Sequence, residues 1–229
     1  MSGKNRVACL PTVKRLPMYY RLLKQLQSQG IEFVSSAHIA EVLDLEPIVV
    51  RKDMTNIGII GKPRIGFDVN ESVAFIEKMM NYNNPNEAFL IGVGNLGQAL
   101  LGYKGFMQMG LNIIAAFDCD TAKIGLHIHD KEVFDIRELP HLAERLNIET
   151  GILCVSEEAA QETADFLIQA GIKGIWNFTP TKLKVPEGIV VQREDLAEGL
   201  AVLIVKLSKM RAERQHPQPN QPRENQEDV

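Results

Sequence analysis

Three glycines stand two and then three residues apart in Gly92-Val93-Gly94-Asn95-Leu96-Gly97, directly after the apolar run Ala88 to Ile91 and ahead of a stretch with helical composition. That spacing has a specific chemistry. The first glycine permits a tight turn, the second lets backbone amides approach a pyrophosphate, and the third lets helix and strand pack closely. Asp118 ends the next apolar run, 26 residues after Gly92. A carboxylate there would accept bonds from adenosine ribose hydroxyls and repel the 2′-phosphate of NADP. The spacing therefore predicts NAD(H) rather than NADP(H), held by Gly92, Val93, Gly94, Asn95, Leu96, Gly97 and Asp118.

An enzyme would need groups for hydride and proton transfer as well, and the chain offers few. Cys154 and Ser156 close a strand on the cofactor side. A cysteine there is more often a small buried hydrophobe than a nucleophile, and Ser156 suits a cap for a helix beginning at Glu157-Glu158. His127 and His129 could share one side of an extended segment, but no third ligand accompanies them, so no metal site is expected. Glu157 and Glu158 are adjacent and point differently, which makes a poor acid/base pair. The reading is a cofactor site without catalytic residues.

A second chemistry is written in the charge. The 229 residues carry a net charge of −4, yet residues 1–66 hold ten Lys/Arg against five Asp/Glu, leaving a strongly acidic remainder. Such asymmetry predicts separate tasks. Arg51 and Lys52 stand where a third helix would present them to a DNA major groove, where arginine can grip guanine with two bonds. Lys62 and Arg64 lie in IGIIGKPRIGFDV, whose Gly58, Gly61, Gly66 and Pro63 suit a tight ribbon tip reaching an adjacent minor groove or the backbone. From pattern alone, a small helical cap with a solvated charge pair reads equally well. No stretch has the roughly 20 apolar residues of a membrane span, and the N-terminus lacks an apolar signal core, so a cytoplasmic protein is expected. Three well-separated cysteines form no CxxC pair, and neither a disulfide framework nor a zinc knuckle is indicated.

The elements that would position these residues follow from periodicity. A helix over Val13 to Gln29 is stopped by Gly30. A short helix capped by Ser35 and Ser36 carries Ile39 to Leu43, and a third runs from Ile48 to about Thr55 behind Pro47. Helix, helix, turn, helix and basic ribbon is the order of a winged helix-turn-helix. A connector helix over 70–82 leads to Asn83-Asn84-Pro85-Asn86, the clearest internal boundary. Beyond it, apolar runs at 88–91, 112–117, 151–155 and 174–177 alternate with helices near 98–101, 136–146 and 157–170, predicting a parallel sheet covered on both faces. The last helix bears Leu196, Leu200, Leu203, Ile204 and Leu207 as an apolar stripe suited to a partner. The expected organisation is an α/β chain. It has a winged-helix DNA-binding domain and connector over 1–82, a Rossmann NAD(H)-binding domain over 83–193, a dimerisation helix over 194–213 and a disordered tail over 214–229.

The combination of motifs is more specific than any one of them. RLPMYYRLL (15–23), VRKDM (50–54), GVGNLGQALLGYKGF (92–106), FDCDTAKIG (117–125), EEAAQ (157–161) and AGIKGIWNFTP (170–180) resemble, in order, the bacterial Rex family of redox-sensing transcriptional repressors. The resemblance implies a homodimer with a C-terminal helix swapped onto the other subunit. It implies binding to double-stranded operator DNA when NAD+ predominates and release when NADH binds. It implies a DNA-facing set of Ser35, Ser36, Arg51, Lys52, Lys62 and Arg64, Ser156 beside the nicotinamide, and Arg21, Tyr103 and Asp195 as partners exchanged between the two states. This chain departs from the family pattern at Val49, where glutamine is usual. It departs again in the ribbon, where TNIGIIGKPRIGF replaces a sequence close to SYFGEFGKRGVGY, and at Ser156, where proline is common. Two other readings stand beside the repressor: an NADH-binding relative without DNA binding, and a small NAD-dependent oxidoreductase.

Overall fold

A computed structural model describes residues 9–82 and 86–215; the boundary residues 83–85 and the tail from 216 onward lie outside the described residues. The described residues divide into two compact units, one up to residue 88 together with 99–114, the other over 89–98 and from 115 onward. In the first unit α1 (Leu10–Ser28), β1 (Phe33–Val34), α2 (Ser36–Leu43), α3 (Pro47–Ile57), β2 (Phe67–Asp68) and α4 (Val69–Met79) follow one another. α1 begins three residues before its apolar periodicity does. Pro11 occupies its first turn, where a missing N–H costs nothing, and Pro17 is accommodated within it.

α2 is capped by the Ser35 hydroxyl, which accepts the His38 N–H at 3.1 Å, and it stops at Asp44 in a left-handed conformation. Leu45 N–H bonds back to Ala40 O and Pro47 opens α3, so the turn between the two helices is short and fixed. On α3, Val50, Asp53, Met54 and Ile57 are buried at helical spacing. Arg51, Lys52, Thr55 and Asn56 are thereby left on its outer face. The ribbon leaves at Gly58, closes through a Lys62–Gly66 bridge and returns as β2, which pairs antiparallel with β1. Gly66, at φ 110°, is required at its base, because a Cβ there would lie 2.3 Å from the Val34 carbonyl oxygen.

One buried carboxylate sets the angle of α3. Asp53 accepts the Thr12 hydroxyl (2.7 Å), the Tyr19 hydroxyl (2.7 Å), and Arg15 Nε and a terminal nitrogen of the same guanidinium (2.6 and 2.8 Å). All three donors sit on α1 at helical spacing. Burial alone would raise the Asp53 pKa, but Arg15, Tyr19 and Thr12 together outweigh it and hold the carboxyl below the usual carboxylate range.

The remaining elements form a seven-stranded sheet and its helices, of which residues 99–114 count with the first unit. β3 (Asn86–Ile91), α5 (Asn95–Leu101), α6 (Gly105–Gln108), β4 (Leu111–Asp118), β5 (His127–Ile128), β6 (Lys131–Asp135), a 3-10 turn (Ile136–Glu138), α7 (Leu139–Leu146), β7 (Thr150–Leu153), α8 (Ala160–Gln169), β8 (Gly174–Asn177), β9 (Val190–Arg193) and α9 (Leu196–Gln215) complete the chain. The sheet order is β5-β6-β4-β3-β7-β8-β9; β6 with β4, β3 with β7, β7 with β8 and β8 with β9 pair parallel, and β5 runs antiparallel to β6. Without β5 this is the doubly wound dinucleotide-binding order, whose direction reverses between β3 and β7. β5, β6, β9 and α6 were not expected from pattern. β9 is largely exposed and β6 buries only Val133, so neither shows a clear alternation. α8 begins later than the Glu157 start expected; its cap position is Ala159, not Ser156. On α9, Val202, Val205 and Met210 are exposed beside Leu200, Leu203, Ile204 and Leu207, so its apolar surface is broader than one stripe.

Because the Asp53 pKa is lower in the folded chain, its contribution is fully present above the unfolded value of about 3.9 and is lost as pH falls through the lower folded value. Urea denaturation of the full chain should show Asp53→Asn about 3 kcal/mol less stable at pH 7. The gap should close as both proteins are taken below pH 4. A gap that persists unchanged into acid would remove the ionised carboxylate from this role.

Candidate functional site

The glycine loop lies at the reversal point of the sheet. β3 buries Ala88, Phe89, Leu90 and Ile91 and then turns at Gly92, whose φ is 94° and whose N–H bonds to Phe117 O at 2.8 Å. A Cβ on Gly92 would meet the Cys154 carbonyl oxygen at 2.6 Å. One on Gly97 would lie 2.1 Å from Gly92 O, so strand and helix approach as closely as the spacing predicts. Gly94 differs. A Cβ there would meet nothing within 4 Å, because it faces open space.

That space is a cleft of about 550 Å³ whose lining includes Gly92, Gly94, Asp118, Lys123, Arg137 and Ser156. Asn95, Leu96 and Gly97 form the start of α5 rather than the lining. Asp118 is buried at the end of β4. Its Oδ1 accepts the Asp120 N–H (2.9 Å), and its Oδ2 accepts the Val93 N–H (2.8 Å) and the Lys123 ammonium (3.0 Å). Burial opposes its ionisation, but the two amides and Lys123 prevail and hold its pKa below the usual range. The carboxylate ties the glycine loop to β4 and keeps acceptor capacity for a hydroxyl. Val93 therefore serves the site through Asp118, since its amide is already engaged.

Sequence reasoning missed Lys123 and Arg137. Lys123 stands in a tight turn in which Ala122 N–H and Lys123 N–H both bond to Asp120, a geometry foreshadowed by the DCDTAK order. Arg137 pairs with Asp135, whose carboxyl it holds down at about 2. Burial pushes the Cys154 thiol up to about 12, so this cysteine supplies no thiolate at neutral pH. His127 lies on β5 while His129 is in a left-handed turn, so the two do not share one extended face. Among the described residues no group of three or more His, Cys, Asp or Glu is placed to hold a metal.

The basic unit has a concavity of its own, about 510 Å³, between α3 and the ribbon. Ser35, Ser36, Arg51, Lys62 and Arg64 all line it, with Thr55, Ile60 and Phe67. An Arg51 guanidinium nitrogen donates to Ser36 Oγ at 3.2 Å, and the Lys62 ammonium stands 4.5 Å over the Phe33 ring. Lys52 is exposed on α3 but lies outside this lining. Of the expected exchange residues, Arg21 bonds to Pro17 O on its own helix, Tyr103 packs edge-on against Phe106, and Asp195 pairs with Arg193 and accepts the Ala197 N–H.

A helix-turn-helix unit with a basic ribbon, joined to a dinucleotide-type sheet, defines a DNA-binding regulator with a nucleotide fold. The family model "CoA binding domain" matches residues 83–181, and "Putative DNA-binding protein N-terminus" matches 9–55. The chain is 46% identical to a redox-sensing transcriptional repressor Rex of Treponema denticola, over 90% of this chain and 98% of that protein. It is 36% identical to a Rex repressor of Clostridium botulinum over the same shares. A Rex-family repressor, RSP, has a crystal structure that matches with a TM-score of 0.81 at 32% identity, covering 91% of this chain and 98% of that one. RSP has also been crystallised with NADH, and with NAD+ and operator DNA. The chain belongs to the Rex family of redox-sensing transcriptional repressors. No described helix is long and apolar enough to cross a membrane.

The contrasting glycines give a direct test. Gly94→Arg should fold, with a Tm within about 2 °C of the parent, yet weaken NADH binding by at least about 100-fold. Gly97→Val should fail at the level of folding, because its side chain would enter backbone. Calorimetric titration and thermal melts check both; NADH binding retained by Gly94→Arg would place the ligand elsewhere.

Proposed function

We propose that the chain represses transcription by binding double-stranded operator DNA as a homodimer, and that it leaves the operator when NADH occupies the Gly92 cleft. It thereby reads the NADH/NAD+ ratio. The observation that carries this reading is the presence, in one chain, of a basic concavity lined by both α3 and the ribbon and a glycine-loop cleft at the sheet reversal.

The residues suit a dinucleotide. Gly94 leaves room for a pyrophosphate, the Asp118 carboxylate can accept ribose hydroxyls, and Ser156 lines the same cleft. Coenzyme A and NAD both contain adenosine diphosphate, the part such a loop and carboxylate hold, so the family-model match at 83–181 accords with NAD(H) as ligand. The nicotinamide supplies the signal, because its charge and shape change with redox state. No proton or hydride transfer is assigned to the protein; it acts as a sensor and not as an enzyme. The exposed apolar surface of α9 is the dimer contact, swapped onto the partner subunit. Arg21, Tyr103 and Asp195 are the polar groups that change partners between the two states. The protein works in the cytoplasm, where it meets both DNA and the dinucleotide pool.

Release by a ligand requires only differential affinity: NADH must bind the DNA-free arrangement more tightly than the DNA-bound one. The test is selection of an operator from random duplexes, followed by a mobility shift titrated with each nucleotide. NADH should release the DNA at concentrations where NAD+ does not, and Arg51→Ala should abolish the specific shift. DNA binding indifferent to both nucleotides would contradict the sensing function. Tight NADH binding with no operator selected would make the chain a dinucleotide-binding relative instead.

A further inference from the structure

Three neighbouring strand ends present an ordered row of chemistry. β3, β4 and β6 lie side by side in the sheet, and Asp118 is the register partner of Asp135. Gly92 and Gly94 follow β3, Asp118 ends β4, and Arg137 comes two residues after Asp135 at the end of β6. All of them except Asp135 line the one cleft. Neighbouring strands are roughly 4.8 Å apart, so the row runs from open loop to carboxylate to guanidinium in two short steps. The adenosine half of a dinucleotide has the same order: pyrophosphate, ribose, base. With pyrophosphate at Gly94 and ribose at Asp118, the base falls at Arg137.

The cleft at that end suits a flat ring. Its lining there includes Ile136 beside Arg137 and, from α8, Phe166. Arg137 Nε donates to both oxygens of Asp135 (2.9 and 3.0 Å) and a terminal nitrogen donates to Oδ2, while the Arg137 N–H bonds to Oδ1 (2.9 Å). The guanidinium is thus gripped along one edge, yet its side chain is 83% exposed, so its faces are open. Both cations of the lining are already paired, Arg137 with Asp135 and Lys123 with Asp118, which leaves neither to seize a phosphate. What Arg137 has to offer a ligand is its plane.

We propose that Arg137 carries the adenine of the dinucleotide on the face of its guanidinium, with Ile136 and Phe166 as apolar parts of the same slot. This rests on the dinucleotide reading of the Gly92 cleft and extends it to the base. A guanidinium stacks on a purine ring, whereas a lysine ammonium presents a point charge and no face. Because adenine is common to both redox forms, Arg137 sets affinity for NADH and NAD+ alike and leaves discrimination between them to other groups.

The experiment titrates NADH, NAD+ and ADP-ribose calorimetrically into the full chain and its variants. Arg137→Ala should weaken all three by about tenfold and leave the ratio of NADH to NAD+ affinity unchanged. It should melt within about 2 °C of the parent, because the side chain is exposed and bonds only to Asp135 among the described residues. Arg137→Lys should lose as much as Arg137→Ala, and the loss should persist at about 0.3 M salt, since a stacked plane is screened less than a phosphate contact. Four results would overturn the inference while leaving the dinucleotide reading intact: Arg137→Ala binding like the parent, Arg137→Lys keeping the parent affinity, a loss that disappears in salt, or a loss seen with NADH and not with ADP-ribose. A parent chain that binds neither NADH nor ADP-ribose would overturn the dinucleotide reading itself, and this inference with it.

Discussion

Asp53 accepts four hydrogen bonds from three residues of one helix, and those bonds tie α3 to α1 with Arg51 and Lys52 facing outward. A carboxylate this buried is costly unless it is fully satisfied, and the guanidinium of Arg15 satisfies it with a two-pronged contact. Hydrophobic packing of Val50, Met54 and Ile57 would hold α3 against the core but would tolerate rotation about its axis. The directional bonds to Asp53 remove that freedom. Arg51 and Lys52 are in consequence displayed by a rigid element rather than by a loop.

Asp118 does a comparable job in the other unit. It joins the Val93 amide in the glycine loop to the end of β4, so the residue expected to meet ribose also maintains the loop expected to meet pyrophosphate. Lys123 compensates its charge, which allows the carboxylate to stay ionised although it is almost enclosed. Both units thus build their sites on a desolvated aspartate kept ionised by specific donors. In VRKDM the neighbouring Arg51 and Lys52 carry the expected chemistry and Asp53 supports them, whereas in FDCDTAKIG the aspartate is itself the expected ligand group.

What the sequence revealed follows from how local each constraint is. The glycine loop was legible because its spacing is a short local pattern, although only Gly97 answers a neighbour in the loop, Gly92 meeting the Cys154 carbonyl and Gly94 facing open space. α3 was legible because Pro47 marks its start. The ribbon was legible from its turn residues. Asp53 was not, since its donors lie 34 to 41 residues earlier in the chain and only the folded helices bring them together. β6 and β9 escaped because a strand near a sheet edge is defined by its pairing more than by apolar alternation. Ser156 illustrates a local rule applied one turn too early: it precedes α8, but a turn over residues 157–159 intervenes.

The net charge of −4 conceals the arrangement that gives the chain its function. The positive balance of residues 1–66 suits a surface that neutralises phosphates, and the acidic remainder has no such task. The coupling of the two sites is the central claim, and linkage makes it measurable from either side. NADH should be titrated calorimetrically into the free protein and into its saturated operator complex. The account predicts weaker NADH binding to the complex, by about 5- to 150-fold, matching the factor by which NADH weakens operator binding. An NADH affinity unchanged by bound operator would contradict it.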